Sequence, residues 1–172
     1  MSKPPVPDPL STAPDAVIAR LDPRGPRRIA GTAVLAALAA LVLYLALAHP
    51  PSGIGWRLFL TAFGLAALWL TVRLWQATSV VLELTATELR EAGGRRLALL
   101  SEVQGIDRGL FAFKPSNGFV LTLATSAPNV WAPGLWWRIG RRVGVGGMTP
   151  RNASRYMAEA IVQIVSARGI EA

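Results

Sequence analysis

Residues 131–142 read WAPGLWWRIGRR and bring three tryptophans and three arginines to one Pro133–Gly134 turn. Indole rings settle at the level of lipid headgroups, and guanidinium groups pair with phosphate. Trp and Arg are also the favoured anchors of protein contacts. Trp131, Trp136, Arg138, Arg141 and Arg142 therefore form the candidate lipid- or partner-binding set. The plainer reading has equal standing, because tryptophan is commonly core and arginine commonly solvated. Alternation sorts the residues along 135–145: Leu135, Trp137, Ile139, Val143 and Val145 share one parity, and Trp136, Arg138 and Arg142 share the other. That assigns Trp137 to the core and Trp136 to the contact face.

Other residue groups carry weaker chemistry. Residues 140–149, GRRVGVGGMT, set glycines and two arginines ahead of a helix start, where anions are attracted and the backbone can come close. The phosphate-loop and dinucleotide glycine patterns are missing, so a tight-turning loop is favoured over a phosphate site. Arg95 and Arg96, beside Gly93–Gly94, could touch lipid phosphate; the ordinary reading is a pair of solvated hairpin residues. Glu83, Glu88, Glu91, Glu102 and Asp107 are scattered, and acid–base chemistry needs groups within hydrogen-bond reach of substrate. His49 stands alone beside Pro50 and Pro51, whereas zinc needs several ligands. The chain has no cysteine, which excludes disulfides and thiolate metal sites. No cofactor, no metal and no catalysis are expected. The net charge of +8 admits nucleic acid, anionic lipid or an acidic protein. Without a nucleic-acid-binding motif, lipid and protein come first.

The elements that position these residues begin with two apolar runs. Residues 29–48, IAGTAVLAALAALVLYLALA, contain no charge, and residues 58–72 lie between Arg57 and Arg73. A bilayer core of ~30 Å takes about 20 helical residues. The first run meets this alone; the second does so through Trp56, Leu74 and Trp75, with arginine stems snorkelling to the headgroups. A transmembrane helical hairpin over 29–75 is expected, against the alternative of a buried hairpin in a soluble protein. Gly31 and Gly64 let its helices approach closely or face other helices. Residues 1–28 hold seven prolines and no early hydrophobic core, which predicts a disordered tail and no secretory signal. Arg20, Arg24, Arg27 and Arg28 precede the first run, while the loop at 49–57 carries only Arg57. Basic residues near membrane ends stay cytoplasmic. The expected placement is a bacterial inner membrane, multi-pass, with both termini cytoplasmic.

Beyond Trp75 the pattern alternates. Residues 79–85, 88–92 and 95–100 read as strands, the last two joined by a two-residue Gly93–Gly94 hairpin. Further strands are expected at 101–109, around Phe119, Leu121 and Leu123 after a turn at 114–118, and along 135–145. Thr149 and Pro150 open a final helix, with Met157, Ala160, Ile161, Ile164 and Val165 as its apolar stripe and Gly169 as its stop. Residues 77–172 thus predict an α+β, mostly-β domain: an antiparallel curved sheet or barrel closed by a C-terminal helix.

Residues 82–109, LELTATELREAGGRRLALLSEVQGIDRG, resemble the opening of bacterial pleckstrin-homology-like (PH-like) domains. Leu84-Thr85 stands at the first turn, Leu89-Arg90 and Gly93-Gly94 follow, and Ser101-Glu102-Val103 with Ile106 forms the next segment. The resemblance spans roughly residues 77–168 and speaks to turns and core. It implies a PH-like fold, and members of that group often carry the domain after a pair of membrane helices. The function expected is a non-catalytic scaffold or assembly factor working through protein or anionic-lipid contacts. The alternative is an accessory subunit of a transporter or of a respiratory or photosynthetic complex, and an enzyme ranks third.

Overall fold

The structure, a computed structural model, describes residues 15–107 and 118–167. Helix α1 runs from Pro26 to Ala48 and helix α2 from Ile54 to Ala77. Proline is well placed at the first turn of α1, where its missing N–H has no partner to lose. Pro50, Pro51 and Gly53 separate the helices, and the chain turns back. Both helices are long and apolar enough to cross a membrane. Gly64 lies directly against Leu43, as close approach of two helices demands. Gly31 does not face α2; it is covered by the Met148 side chain, from the loop that precedes the last helix.

A strand precedes the helix pair. Residues Ala19–Leu21 form β1, and the strand after the helices, β2 (Leu82–Leu84), pairs with it antiparallel. Ala19 lies opposite Leu84, Arg20 opposite Glu83 and Leu21 opposite Leu82. The expected disordered tail is corrected here: its last part, with Leu21 fully buried, belongs to the sheet. Residues 1–14 lie outside the described set. Because β1 and β2 flank the helices and touch each other, the segments before α1 and after α2 sit at the same end of the pair.

Strands β3 (Glu88–Glu91) and β4 (Arg96–Leu99) complete a four-stranded sheet in the order β1-β2-β3-β4. Thr85 fixes the first turn, its buried hydroxyl accepting from the N–H groups of Thr87 and Glu88 at 3.3 and 3.1 Å. The β3–β4 connection holds four residues, Ala92 to Arg95, not two: the Glu91 N–H donates to Arg95 O and the Gly94 N–H to Glu91 O, both at 2.8 Å. Gly94 takes φ +91° there, a conformation that costs glycine little. A 3₁₀ turn, Leu100–Glu102, leads to a three-stranded sheet of β5 (Val103–Asp107), β6 (Phe119–Ala132) and β7 (Trp136–Val145). The expected turn at 114–118 lies outside the described residues except for Gly118.

Helix α3, Arg151–Ala167, closes the core. Met157, Ala160, Ile161, Ile164 and Val165 are all buried, as the stripe predicts, and pack with Leu21, Leu84, Leu97, Phe119, Leu121 and Val143. Burying such a side chain is worth roughly 1.5–3 kcal/mol. Thr149 is buried at the helix start and accepts from the Ser154 hydroxyl at 2.9 Å. Gly169 lies outside the described residues.

Candidate functional site

The hairpin of β6 and β7 carries the tryptophans and arginines. Its turn, Pro133-Gly134-Leu135, has Gly134 at φ +75° and rests on the end of α2. A Cβ added to Gly134 would stand 2.7 Å from Leu74 Cδ1 and 3.3 Å from Thr78 Cγ2. The Met148 N–H donates to Gly134 O at 2.9 Å, and the Gly146 N–H to Leu135 O at 2.9 Å. Gly146 and Gly147, at φ +149° and +108°, let this second backbone cross the turn, where a Cβ on Gly147 would meet Gly134 O at 2.8 Å. The glycines of 140–149 thus serve a close backbone crossing, the plainer of the two readings.

The two tryptophan faces are the reverse of the parity assignment. Trp136 is 2 % exposed, and its Nε1–H donates to Glu91 Oε1 at 2.8 Å. It is core and leaves the contact set. Trp137 instead lies opposite Trp131 on the outer face and covers Gly144. The physical reason is register. Five steps of β6, Thr122 to Ala127, match only two steps of β7, Arg142 to Gly140, and the pairing slips again before Val130. Gly140 bends β7 at the same place with φ +57°. Bulges of this kind re-aim side chains, so the parity read from Val143 and Val145 does not carry past Gly140.

The bulge also explains two arginines. Bulged residues lose ladder partners, and their carbonyls must find others. Arg141 donates from Nε to Leu123 O and from Nη2 to Gln104 Oε1, each at 2.9 Å. Arg138 donates from Nη1 to Leu97 O at 3.0 Å, and more loosely to Gly140 O and Thr125 O at 3.4 and 3.5 Å. The Leu97 contact joins β7 to β4 and so ties one sheet to the other. Both guanidinium groups hold backbone, while Arg142 is exposed opposite Thr122.

Two grooves meet at Trp131, which is 55 % exposed. One, of about 440 Å³, lies on the outer hairpin face among Asn129, Val130, Trp131, Trp137, Arg138 and Ile139. It is mainly apolar, and Ile139 at its rim is 60 % exposed. The other, of about 430 Å³, lies between the end of α2 and the sheet, where Arg73, Gln76, Glu91, Arg95, Trp131 and Pro133 form its walls. The sequence brings Arg95 and Trp131 forward separately. Their meeting with Arg73 depends on how the hairpin turn seats on α2, which no local pattern encodes.

The arginines before α1 have a use besides orientation. Arg28 is 8 % exposed, and its guanidinium stacks 3.8 Å over the centre of the Trp75 ring. Its Nη2 donates to Trp75 O at 2.9 Å and to Ser79 Oγ at 2.6 Å. Arg24 Nη2 donates to Ser79 O at 3.1 Å. A cation at the carbonyl end of α2 satisfies orphan acceptors and meets the negative end of the helix dipole, and the indole face adds cation–π attraction. Arg28 Nε, buried beside these contacts, has no hydrogen-bond partner among the described residues. The start of α1 is thereby clasped to the end of α2.

No protein-family model, curated protein or solved structure matches the chain.

Proposed function

We propose that this chain is a non-catalytic protein of a bacterial inner membrane whose PH-like domain acts as a scaffold or assembly factor. The observation that carries this reading is the outer hairpin face. Trp131 and Trp137 lie opposite each other, Ile139 stands exposed beyond them, and the turn below them rests on the end of α2. Aromatic anchors around an apolar groove are the usual centre of a protein contact. Here they are held beside helices long enough to span a bilayer, which suits a partner that is itself at the membrane.

The strand inventory supports the PH-like assignment. Four strands in one antiparallel sheet, three in a second and a closing C-terminal helix fit the sheet-and-helix domain that the resemblance implies. The helix pair then interrupts the domain between its first and second strands. Arg20, Arg24, Arg27, Arg28 and Arg73 cluster at the domain end of the pair, which favours a cytoplasmic domain under the positive-inside rule.

Quantitative mass spectrometry on the full chain purified in mild detergent tests the reading, with the wild type and Ile139→Ser compared. Membrane-associated proteins should co-purify with the wild type and drop with Ile139→Ser, at unchanged melting temperature. Identical partner sets would overturn the scaffold face. A stoichiometric partner indifferent to Ile139 would make the chain an accessory subunit.

A further inference from the structure

We propose that the groove between the end of α2 and the hairpin turn binds the phosphate headgroup of an anionic membrane lipid. This rests on the membrane reading above and adds a ligand to it. The groove holds two guanidinium groups, Arg73 and Arg95, with Gln76 as a further polar side chain. Both arginines are exposed, and Arg73 lies only loosely over the Trp69 ring, 5.6 Å from its centre. Most neighbouring charges are already engaged: Arg90 and Arg96 pair with Glu88, and Arg20 pairs with Glu83. Glu91, the acid of the groove, accepts from the buried Trp136 indole. Two guanidinium groups against the one carboxylate of Glu91 leave the groove net cationic.

Position selects a lipid as the source of the phosphate. Arg73 is the first charge after Arg57 along α2, and sixteen residues of helix rise about 24 Å, which the two snorkelling arginine stems extend toward the ~30 Å of a hydrocarbon core. Its guanidinium thus falls at headgroup depth, with Trp69 and Trp75 on the same helix. Trp131 and Pro133 form the apolar side of the groove, where glycerol and the upper acyl carbons would pack. Guanidinium groups take phosphate oxygens through paired, charge-assisted hydrogen bonds.

Native mass spectrometry of the full chain in detergent, titrated with phosphatidylglycerol or phosphatidylcholine, tests the site. Phosphatidylglycerol should bind more tightly. Arg73→Gln with Arg95→Gln should weaken it roughly fivefold per arginine, about thirtyfold together, with phosphatidylcholine binding and the melting temperature unchanged. Removing equal charge elsewhere, by Arg151→Gln with Arg155→Gln on the exposed face of α3, should weaken it far less. Inorganic phosphate at millimolar concentration should not displace the lipid. A photoactivatable phosphatidylglycerol, reactive at its headgroup, should label peptides containing Arg95 or Trp131, and this readout stands even if the double variant folds poorly. Equal binding of the two lipids, equal loss from both double variants, displacement by phosphate, or labelling confined to the outer faces of α1 and α2 would each overturn the proposal. The scaffold reading turns on Ile139, which lies outside this groove, so either proposal can fail alone.

Discussion

The helix pair and the sheet domain are packed by opposite rules. In the domain the large apolar side chains are inside: Trp136, Phe119, Leu21, Leu82, Leu84, Leu89, Leu121 and Met157 are all essentially inaccessible. In the helix pair, away from its domain end, the buried residues are small, Ala39, Ala46, Gly64 and Ala67, while Leu41, Leu47, Phe59, Leu65 and Trp69 are exposed; Arg28, Thr32 and Leu74 are buried at the domain end. A water-soluble helix pair would bury its leucines. Lipid tails are as apolar as leucine, so helices in a bilayer gain by bringing small residues together and leaving large ones outside. The contrast makes the membrane the natural solvent for one half and water for the other. Between them lies a polar seam of Arg24, Arg28 and Ser79 and the turn at Gly134.

Substitutions on either side of that contrast should differ sharply. Trp136→Ala should have the largest effect, about 3–5 kcal/mol, the range for removing a buried aromatic ring, and it also strips Glu91 of its donor. Urea titration of the full chain in detergent, followed by domain-specific hydrogen exchange, would measure it. Leu21→Ala should cost about 2–5 kcal/mol although it lies ahead of the helices, whereas Leu41→Ala, on the exposed face of α1, should shift the same transition by less than about 0.5 kcal/mol. Equal effects of Leu21 and Leu41 would erase the distinction. Arg28→Met removes two charge-assisted hydrogen bonds, each worth roughly 1.5–3 kcal/mol. It should loosen the seam first, seen as faster proteolysis near Ser79 with the sheet core still protected. Ile139→Ser should move stability least, within about 0.5 kcal/mol, and act on binding instead.

What could be read from the residues follows from the range of the interactions. The two apolar helices and the stripe of α3 are local periodicities, and each appears in the structure close to its expected place. So do β2, β3 and β4, whose turns are set by Thr85 and Gly94. The first strand was hidden because ARL is short, lies among prolines, and finds its partner only after both helices have been crossed. The two tryptophans were exchanged because parity holds only while pairing is regular, and the bulged stretch of β6 breaks it. Arg138 and Arg141 read as cations open to a ligand because the carbonyls they bind, Leu97 O on β4 and Leu123 O on β6, reach them through strand placement that no local pattern encodes. The groove at Arg73, Arg95 and Trp131 draws on three distant parts of the chain.

Strand β1, from before the helices, completes the sheet formed after them. The chain has no cysteine, so Arg20→Cys with Glu83→Cys introduces only the two thiols at the β1–β2 register. Opposed antiparallel residues sit about 4.5–5.5 Å apart at Cα, within the span a disulfide bridges. Isolated membranes would be oxidised briefly, then labelled with a maleimide–polyethylene glycol that shifts each free thiol on a gel. The expected result is protection of both thiols, reversed by reductant, while Arg20→Cys with Arg142→Cys stays doubly labelled. Full labelling of the Arg20→Cys, Glu83→Cys protein after oxidation would contradict the pairing, and with it the placement of both flanking segments at one end of the helices.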